Sequence, residues 1–540
     1  MKSINRIISI FLGILLMGLT GCKKDWLDEQ PLIQLSQASF WKTESDAKLA
    51  LTGLYQYGVA DGVDNKDQAR RILMATDDAR HKSAGAGAFN AGQFLEPSDA
   101  NVIMNIWMKG YRAIYRVNVF LENIDKVNMD AAKKAQFIAE AKFIRANQYF
   151  WMLQRYGGVP LVTKVLTISE ANSQTRNSRQ EIVDFCLTEL TAAAADLPAS
   201  RDDSEKGRIL KAAPLALKGR LLMIEKRWSE AAAAFKEIID LGVHIIDPRY
   251  KTLFEEVGES SKEIIYSINY VAGIFGNDYN QRNFTPAFYG GYQEYNAYQD
   301  LIDAFLMNDG LPIETSPLYD PANPFANRDP RLYASMFLPE YTVFNGTLYL
   351  ANPALTNFGI KTLVGATGYG CKKFATDNYT GDINSSGDNI SLIRYAEVLL
   401  GYLESKLESG DNITQDLLDQ TINKVRARAE VNMPPVTETD PAKLREIVRR
   451  ERRVEFCWEP VIRWMDIHRW GIASQVINKK FYGMKLTNDP AHYTAYPVDA
   501  TGHLFSIDRT GWYVSPKNDL WPIPQSEIDI NNKLEQNPGY

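Results

Sequence analysis

Residues 131–156 read AAKKAQFIAEAKFIRANQYFWMLQRY, and within them Ala139, Phe143, Ala146, Phe150 and Leu153 recur three or four apart. That spacing puts small and large apolar side chains alternately on one helical face, so a second helix can approach closely over the small ones. The same texture returns at 180–197, 211–226, 229–241, 391–408, 415–429, 444–457 and 461–470, with short breaks between. Trp228, Ala231, Ala234 and Phe235 follow a face made by Ala213, Ala216 and Gly219, the small-against-aromatic pattern of a tetratricopeptide-like helical hairpin. No strict repeat period survives. The predicted fold is therefore mostly α, built of stacked helical hairpins.

From about residue 243 to residue 389 helical periodicity fades, Gly, Asn, Asp and Pro become frequent, and about half of the chain's 27 Tyr residues occur. A shorter segment, 77–100, has a similar character, with Gly85, Gly87, Asn90 and Gly92 around Phe89 and Phe94. Loops held on a rigid frame are where binding concentrates. The N-terminus reads as an address. Lys2 and Arg6 precede an apolar run over 7–19, which as a helix rises about 20 Å, short of a hydrocarbon core of roughly 30 Å. Leu19-Thr20-Gly21-Cys22 then resembles a bacterial lipobox, with cleavage before an acylated Cys22. The expected organisation is a signal peptide over 1–21, a lipidated tether over 22–37, a helical scaffold over 38–242, a loop-rich binding insertion over 243–390, and the rest of the scaffold over 391–540.

Composition excludes several classes. The 540 residues carry 60 Lys plus Arg against 66 Asp plus Glu, a net charge of -6, so no basic field attracts nucleic acid. Cys22, Cys186, Cys371 and Cys457 lie far apart and only five His are present, which supports neither a disulfide framework nor a zinc site. No cofactor and no metal are expected. Aromatic residues reach 11%, enough for some rings to face a ligand.

Several strings occur in a telling order: Trp107-Met108-Lys109-Gly110-Tyr111-Arg112-Ala113-Ile114 with Asn118, Ala141-Lys142-Phe143-Ile144-Arg145-Ala146, and Tyr156-Gly157-Gly158-Val159-Pro160-Leu161. Asn327-Arg328-Asp329-Pro330-Arg331, Ile393-Arg394-Tyr395-Ala396-Glu397, Glu451-Arg452-Arg453-Val454-Glu455 and the terminal Gln536-Asn537-Pro538-Gly539-Tyr540 follow. Taken together, the whole chain resembles the SusD/RagB family of Bacteroidetes outer-membrane nutrient-binding lipoproteins. The resemblance implies four tetratricopeptide-like pairs forming a right-handed superhelical scaffold, with an irregular binding subdomain. It also implies a lipid anchor on the extracellular face of the outer membrane and a SusC-like TonB-dependent transporter as partner.

Glu451, Glu455 and Glu459 fall at i, i+4 and i+8, which invites an acid–base reading as in glycoside cleavage. Arg449, Arg450, Arg452, Arg453 and Arg463 crowd them, however, and cations hold carboxylates ionised where a general acid needs the opposite. Structural ion pairing is the better reading, extended to Arg394 with Glu397, Arg145 with Glu140, and the 328–331 turn. Asp466 and His468 are two apart and do not share a helical face. No G-x-S-x-G, P-loop or H-E-x-x-H string is present, and an enzyme is not expected. The aromatics carry the functional reading. A sugar offers an apolar face and a belt of hydroxyls, which Tyr or Trp and neighbouring polar groups complement. Tyr289, Tyr292 and Tyr295 with Asn296, and Phe89, Asn90 and Phe94 beside Asp77 and Asp78, are the candidate ligand contacts. An oligosaccharide is the expected cargo, a peptide as in the RagB branch the alternative, and a purely structural partner of the transporter a third reading.

Overall fold

The computed structural model describes residues 40–63, 72–81, 95–98, 100–286, 289–349, 367–485, 502–505 and 513–540. Its first helices are α1 (Glu44–Tyr55), α2 (Asn105–Asn123), α3 (Ala131–Tyr156), α4 (Arg179–Asp196), α5 (Ala212–Ile224) and α6 (Trp228–Asp240). After a long irregular region come α7 (Tyr395–Glu408), α8 (Pro441–Glu455), α9 (Ile462–Arg469) and, near the C-terminus, α10 (Gln525–Ile530). From α2 to α8 each helix packs on the next, the stacked hairpins that the periodicity predicts. Cys22 lies outside the described residues.

The hairpin expected from small and aromatic residues forms between α5 and α6. A Cβ at Gly219 would sit 2.6 Å from the Phe235 ring, and one at Gly401 on α7 would sit 2.8 Å from it. Phe235 is thus wedged between two glycines on neighbouring helices, which lets α6 lie close to both. Ser178 and Glu181 form a capping box at the start of α4, and Asp440 with Pro441 opens α8, so local signals place these ends.

Two expectations are corrected. In α3 every residue from Phe143 to Leu153 is buried, so the helix is covered all round rather than on one face. Its polar residues are consequently satisfied inside the core: Arg145 donates to Glu189 at 2.8 and 2.9 Å and to Asn118 at 2.7 Å, while Gln148 donates to the Gly58 carbonyl at 2.7 Å. The segments 391–408 and 415–429 are also not single helices. Ser391 to Arg394 are strand, and the second segment breaks at Thr421 (ψ -97°) into Gln415–Gln420 and Ile422–Arg426.

Short strands build the remainder: β1 (Ala79–His81), β2 (Ile264–Ile268), β3 (Tyr295–Ala297) and β4 (Met336–Phe337). β5 (Val343–Phe344), β6 (Thr347–Leu348), β7 (Gly370–Cys371) and β8 (Ile390–Arg394) follow. The irregular region leaves after α6 and returns at α7, and its neck is closed by β2 pairing antiparallel with β8, Ile264 opposite Arg394 and Ile268 opposite Ile390. Beside that ladder, Glu256 accepts from the Gly387 N–H at 2.8 Å and Glu259 from the Asn389 N–H at 3.0 Å. Burial first, then the nearby Glu256 and Asp388 carboxylates, push the Glu259 carboxyl up to about 7. Because the folded state holds that proton more tightly than an unfolded Glu of pKa about 4.3, the stability this group contributes is complete below that value and declines as pH rises toward the folded pKa. Glu259→Gln should therefore raise the melting temperature at pH 8 more than at pH 5, read by calorimetry at the two pH values; an equal change at both would contradict the assignment.

Candidate functional site

The two loop-rich regions, far apart in sequence, meet in one four-stranded sheet of order β1-β3-β7-β4. β1 runs antiparallel to β3, pairing Ala79 with Ala297, Arg80 with Asn296 and His81 with Tyr295. Antiparallel pairing places the chain leaving β1 and the chain entering β3 at the same end of the sheet. There the His81 Nε2 lies 3.3 Å from the Glu294 carboxylate.

The segment entering β3 is held in shape from behind. The Tyr289 ring packs on Phe344 with centroids 5.2 Å apart, and its hydroxyl donates to the Thr347 carbonyl at 3.0 Å. Buried Gln293 donates to the Tyr349 hydroxyl at 2.5 Å. The β5–β6 hairpin is thereby a buttress for residues 289–293. On that support Tyr292 is 45% exposed, with the Arg282 guanidinium 5.0 Å from its ring centroid. A cation beside an aromatic ring keeps the ring oriented at modest cost in water. Tyr341, in the turn before β5, is equally exposed and stacks on Tyr333 at 5.2 Å.

Four candidate contacts are relocated by the structure. Tyr295 is 1% exposed and packs among His81, Tyr279 and Phe284, so its ring has no surface to offer a ligand. Asn296 is buried in β3, its amide directed to the Gln293 and Glu294 carbonyls at 3.4 and 3.3 Å. Asp77 receives both ends of the Arg463 guanidinium at 2.9 and 2.7 Å, and Asp78 receives Arg453 at 2.7 Å. Burial alone would raise the Asp77 carboxyl, but Arg453 and Arg463 outweigh it and hold it below the usual carboxylate range. These aspartates anchor the entry to β1 on Arg453 and Arg463. Tyr289 is half-buried and Tyr292 exposed, while Phe89, Asn90 and Phe94 lie outside the described residues. Arg282, from the short helix Asn280–Phe284, is not signalled by the sequence as a neighbour of Tyr292, because their meeting depends on how the chain turns between them.

The acidic string is structural, but with other partners than its neighbours suggest. Glu451 accepts from Arg331 at 2.5 Å and Arg426 at 2.8 Å. Glu455 accepts from Arg331 at 2.9 Å, Arg394 at 2.7 Å and Arg428 at 3.0 Å. Glu459 lies beyond the end of α8, in a turn where Trp458 and Val461 adopt φ of 67° and 63°, and it binds Arg394 and Lys373, each at 2.7 Å. Burial acts against all three carboxylates, yet the surrounding cations keep each below its ordinary value, the reverse of what proton donation requires. Glu397 pairs with Arg220 rather than Arg394, and Glu140 with Arg201 and Arg208 rather than Arg145. Asp466 accepts from Arg452 at 2.9 Å and Arg469 at 2.9 Å, and the His468 ring is tied to the Trp464 carbonyl at 2.7 Å. Asp329 caps the helix that Pro330 opens and also receives Arg331 at 2.7 Å.

Two of the quoted strings meet each other. Asn537 donates to the Tyr156 carbonyl at 3.0 Å and the Trp521 carbonyl at 2.7 Å, and Arg176 bridges Tyr156 and Asn537 at 2.9 and 2.8 Å. A Cβ at Gly158 would stand 2.1 Å from the Asn177 carbonyl oxygen, so only glycine fits that crossing. The C-terminal segment is thereby fastened to the end of α3.

A stack of helical hairpins thus carries one small sheet on which segments far apart in sequence meet beside the exposed Tyr292. The chain belongs to the SusD family, whose model matches residues 261–540, and a second model, described as starch-binding associating with outer membrane, matches residues 25–223. A SusD-like carbohydrate binding protein from Bacteroides fragilis is 38% identical with a TM-score of 0.83, the match covering 92% of this chain and all of that one. A second SusD-like protein from that organism is 26% identical with a TM-score of 0.77, over 95% of this chain and 100% of its own. SusD-like protein P25 of Formosa agariphila is 24% identical over 582 residues, 100% of both chains. The helical, tetratricopeptide-like fold expected from the periodicity is that of these relatives.

Proposed function

We propose that this protein is a non-catalytic surface lipoprotein that captures oligosaccharide and passes it to a SusC-like TonB-dependent transporter, anchored through Cys22 on the extracellular face of the outer membrane. The observation that carries the reading is that β1 pairs with β3 and so brings regions far apart in sequence together next to Tyr292, which stands exposed on a buttressed segment. An exposed ring on a rigid support stacks on the apolar face of a sugar without first having to be ordered. The likeness to a carbohydrate binding relative supplies the ligand class, and the model name that mentions the outer membrane supports the location. No helix among the described residues is long and apolar enough to cross a membrane, which is compatible with attachment by lipid.

Calorimetry of the chain lacking residues 1–22 against plant, host and microbial glycans tests this. One glycan should bind, and Tyr292→Ala should weaken it about 10- to 100-fold, the range for truncating a central aromatic anchor. Tyr292→Phe, which keeps the ring, should stay close to the parent. Silence across the panel with binding of a peptide pool would move the protein to the peptide-binding reading.

A further inference from the structure

Beside the exposed Tyr292 ring stands a cation whose hydrogen-bonding capacity is unused. The Tyr292 N–H donates to the Arg282 carbonyl at 2.6 Å and the Glu294 N–H to the Asn283 carbonyl at 2.8 Å, which fixes the short helix Asn280–Phe284 against the segment entering β3. Arg282 is half-buried and its Nε is enclosed without a hydrogen-bond partner. Among the described residues no carboxylate or carbonyl receives any of its side-chain N–H groups. Its contact is the Tyr292 ring, 5.0 Å away. A ring face offsets part of the charge but does not accept the directed hydrogen bonds that five N–H donors can make.

The other three arginines between residues 243 and 390 are all provided for. Arg328 donates to the Pro324, Ile302 and Phe305 carbonyls at 2.9, 2.6 and 2.9 Å, and Arg249 holds the Asp247 carboxylate by two bonds of 2.8 Å. Arg331 holds Asp329 at 2.7 Å and Glu455 at 2.9 Å. Glu294, the acidic residue of the 289–297 segment, lies 3.3 Å from His81 instead. A partly enclosed guanidinium without an acceptor is unfavourable, and its planar fork is shaped to pair with an oxyanion. With Nε enclosed, the two terminal nitrogens are the ones that meet a ligand. A sugar laid on Tyr292 carries its ring substituents past them. We propose that the site selects oligosaccharides bearing an anionic group, a uronate carboxylate or a sulfate ester, which pairs with Arg282 while the sugar face stacks on Tyr292. This rests on the oligosaccharide reading above and adds the charge of the ligand to it.

The test is calorimetry of the full mature chain carrying Cys22→Ser. The ligands are oligogalacturonate, oligoalginate and a sulfated oligogalactan, each beside its carboxyl-reduced or desulfated form, with neutral glycans and an acidic peptide pool for comparison. An acidic glycan should bind, and its neutralised form should bind about 10- to 100-fold more weakly, the range for hydrogen bonds to a charged group. Whether the uronate or the sulfate arm responds names the anion. In Arg282→Gln the acidic and neutralised forms should bind alike, whereas Arg282→Lys should keep part of the preference; a purely structural role would weaken both forms equally. Added salt should weaken the acidic ligand in the parent and not in Arg282→Gln. A neutral glycan bound as tightly as its acidic counterpart would overturn the proposal and leave the oligosaccharide reading standing, and so would a charge preference that survives Arg282→Gln. Binding of the acidic peptides alone, or silence toward every ligand, would overturn both. Should the melting temperature show that Arg282→Gln does not fold, the matched forms tested on the parent and on Arg282→Lys still decide.

Discussion

Glu455→Gln is expected to lower the unfolding free energy by about 3–5 kcal/mol, the cost of breaking one member of a buried ionic group. The residue sits in a cluster in which Arg331, Lys373, Arg394, Arg426 and Arg428 balance Glu263, Asp329, Glu451, Glu455 and Glu459, and every member is buried. Glutamine keeps the shape but removes the charge and turns an amide N–H₂ toward guanidinium groups that are themselves donors. Water cannot repair the loss, because no member reaches solvent. Glu446→Gln is the matched control: its side chain is 74% exposed and its partner Arg449 is 3.7 Å away, so it should change stability by less than about 0.5 kcal/mol. Urea midpoints of the two variants decide the matter. If both fall alike or neither falls, the buried cluster does not carry this share of the stability.

Phe235→Ala is expected to cost about 3–5 kcal/mol through the cavity it leaves at the junction of three helices. The ring is 1% exposed and fills the space that Gly219 and Gly401 leave open. The two sides of that contact predict opposite behaviour when combined. In the parent chain Gly401→Ala should destabilise by roughly 1–3 kcal/mol, because the new methyl group meets the ring. In the Phe235→Ala background the same change should cost much less, giving a coupling of at least about 0.5 kcal/mol in a double-mutant cycle. Additive effects of the two substitutions would show that the helices are not spaced by this contact.

Helix positions were readable because they depend on neighbours three and four residues away. The segments 180–197, 211–226 and 229–241 were placed within a residue or two of the observed helices, and Ser178 with Glu181 or Asp440 with Pro441 mark ends by purely local hydrogen bonding. The exceptions follow from the same physics. Ser391 to Arg394 look helical by spacing, yet pairing with Ile264 to Ile268 supplies backbone partners that local sequence does not disclose.

The candidate site was legible in part. Tyrosine and glycine density pointed to 289–298 and to 77–100, and the register of β1 on β3 brings those two regions together. Density does not say which way each side chain faces. Within β3 and the segment before it, Tyr292 is outside and Tyr295 inside, a difference decided by the sheet and by the rings of Tyr279 and Phe284 beneath it.

Alone, the sequence determined the helical class, the hairpin contact of Phe235 with Gly219, and the structural rather than chemical use of the Glu451–Glu455 charges. Tertiary structure alone decided which arginine meets which carboxylate, as when Arg394 passes over Glu397 three residues away for Glu263, Glu455 and Glu459. The reason is range. Periodicity and capping act within one or two turns, whereas an ion pair forms wherever the fold delivers two heads to one buried place, whatever the number of residues between them.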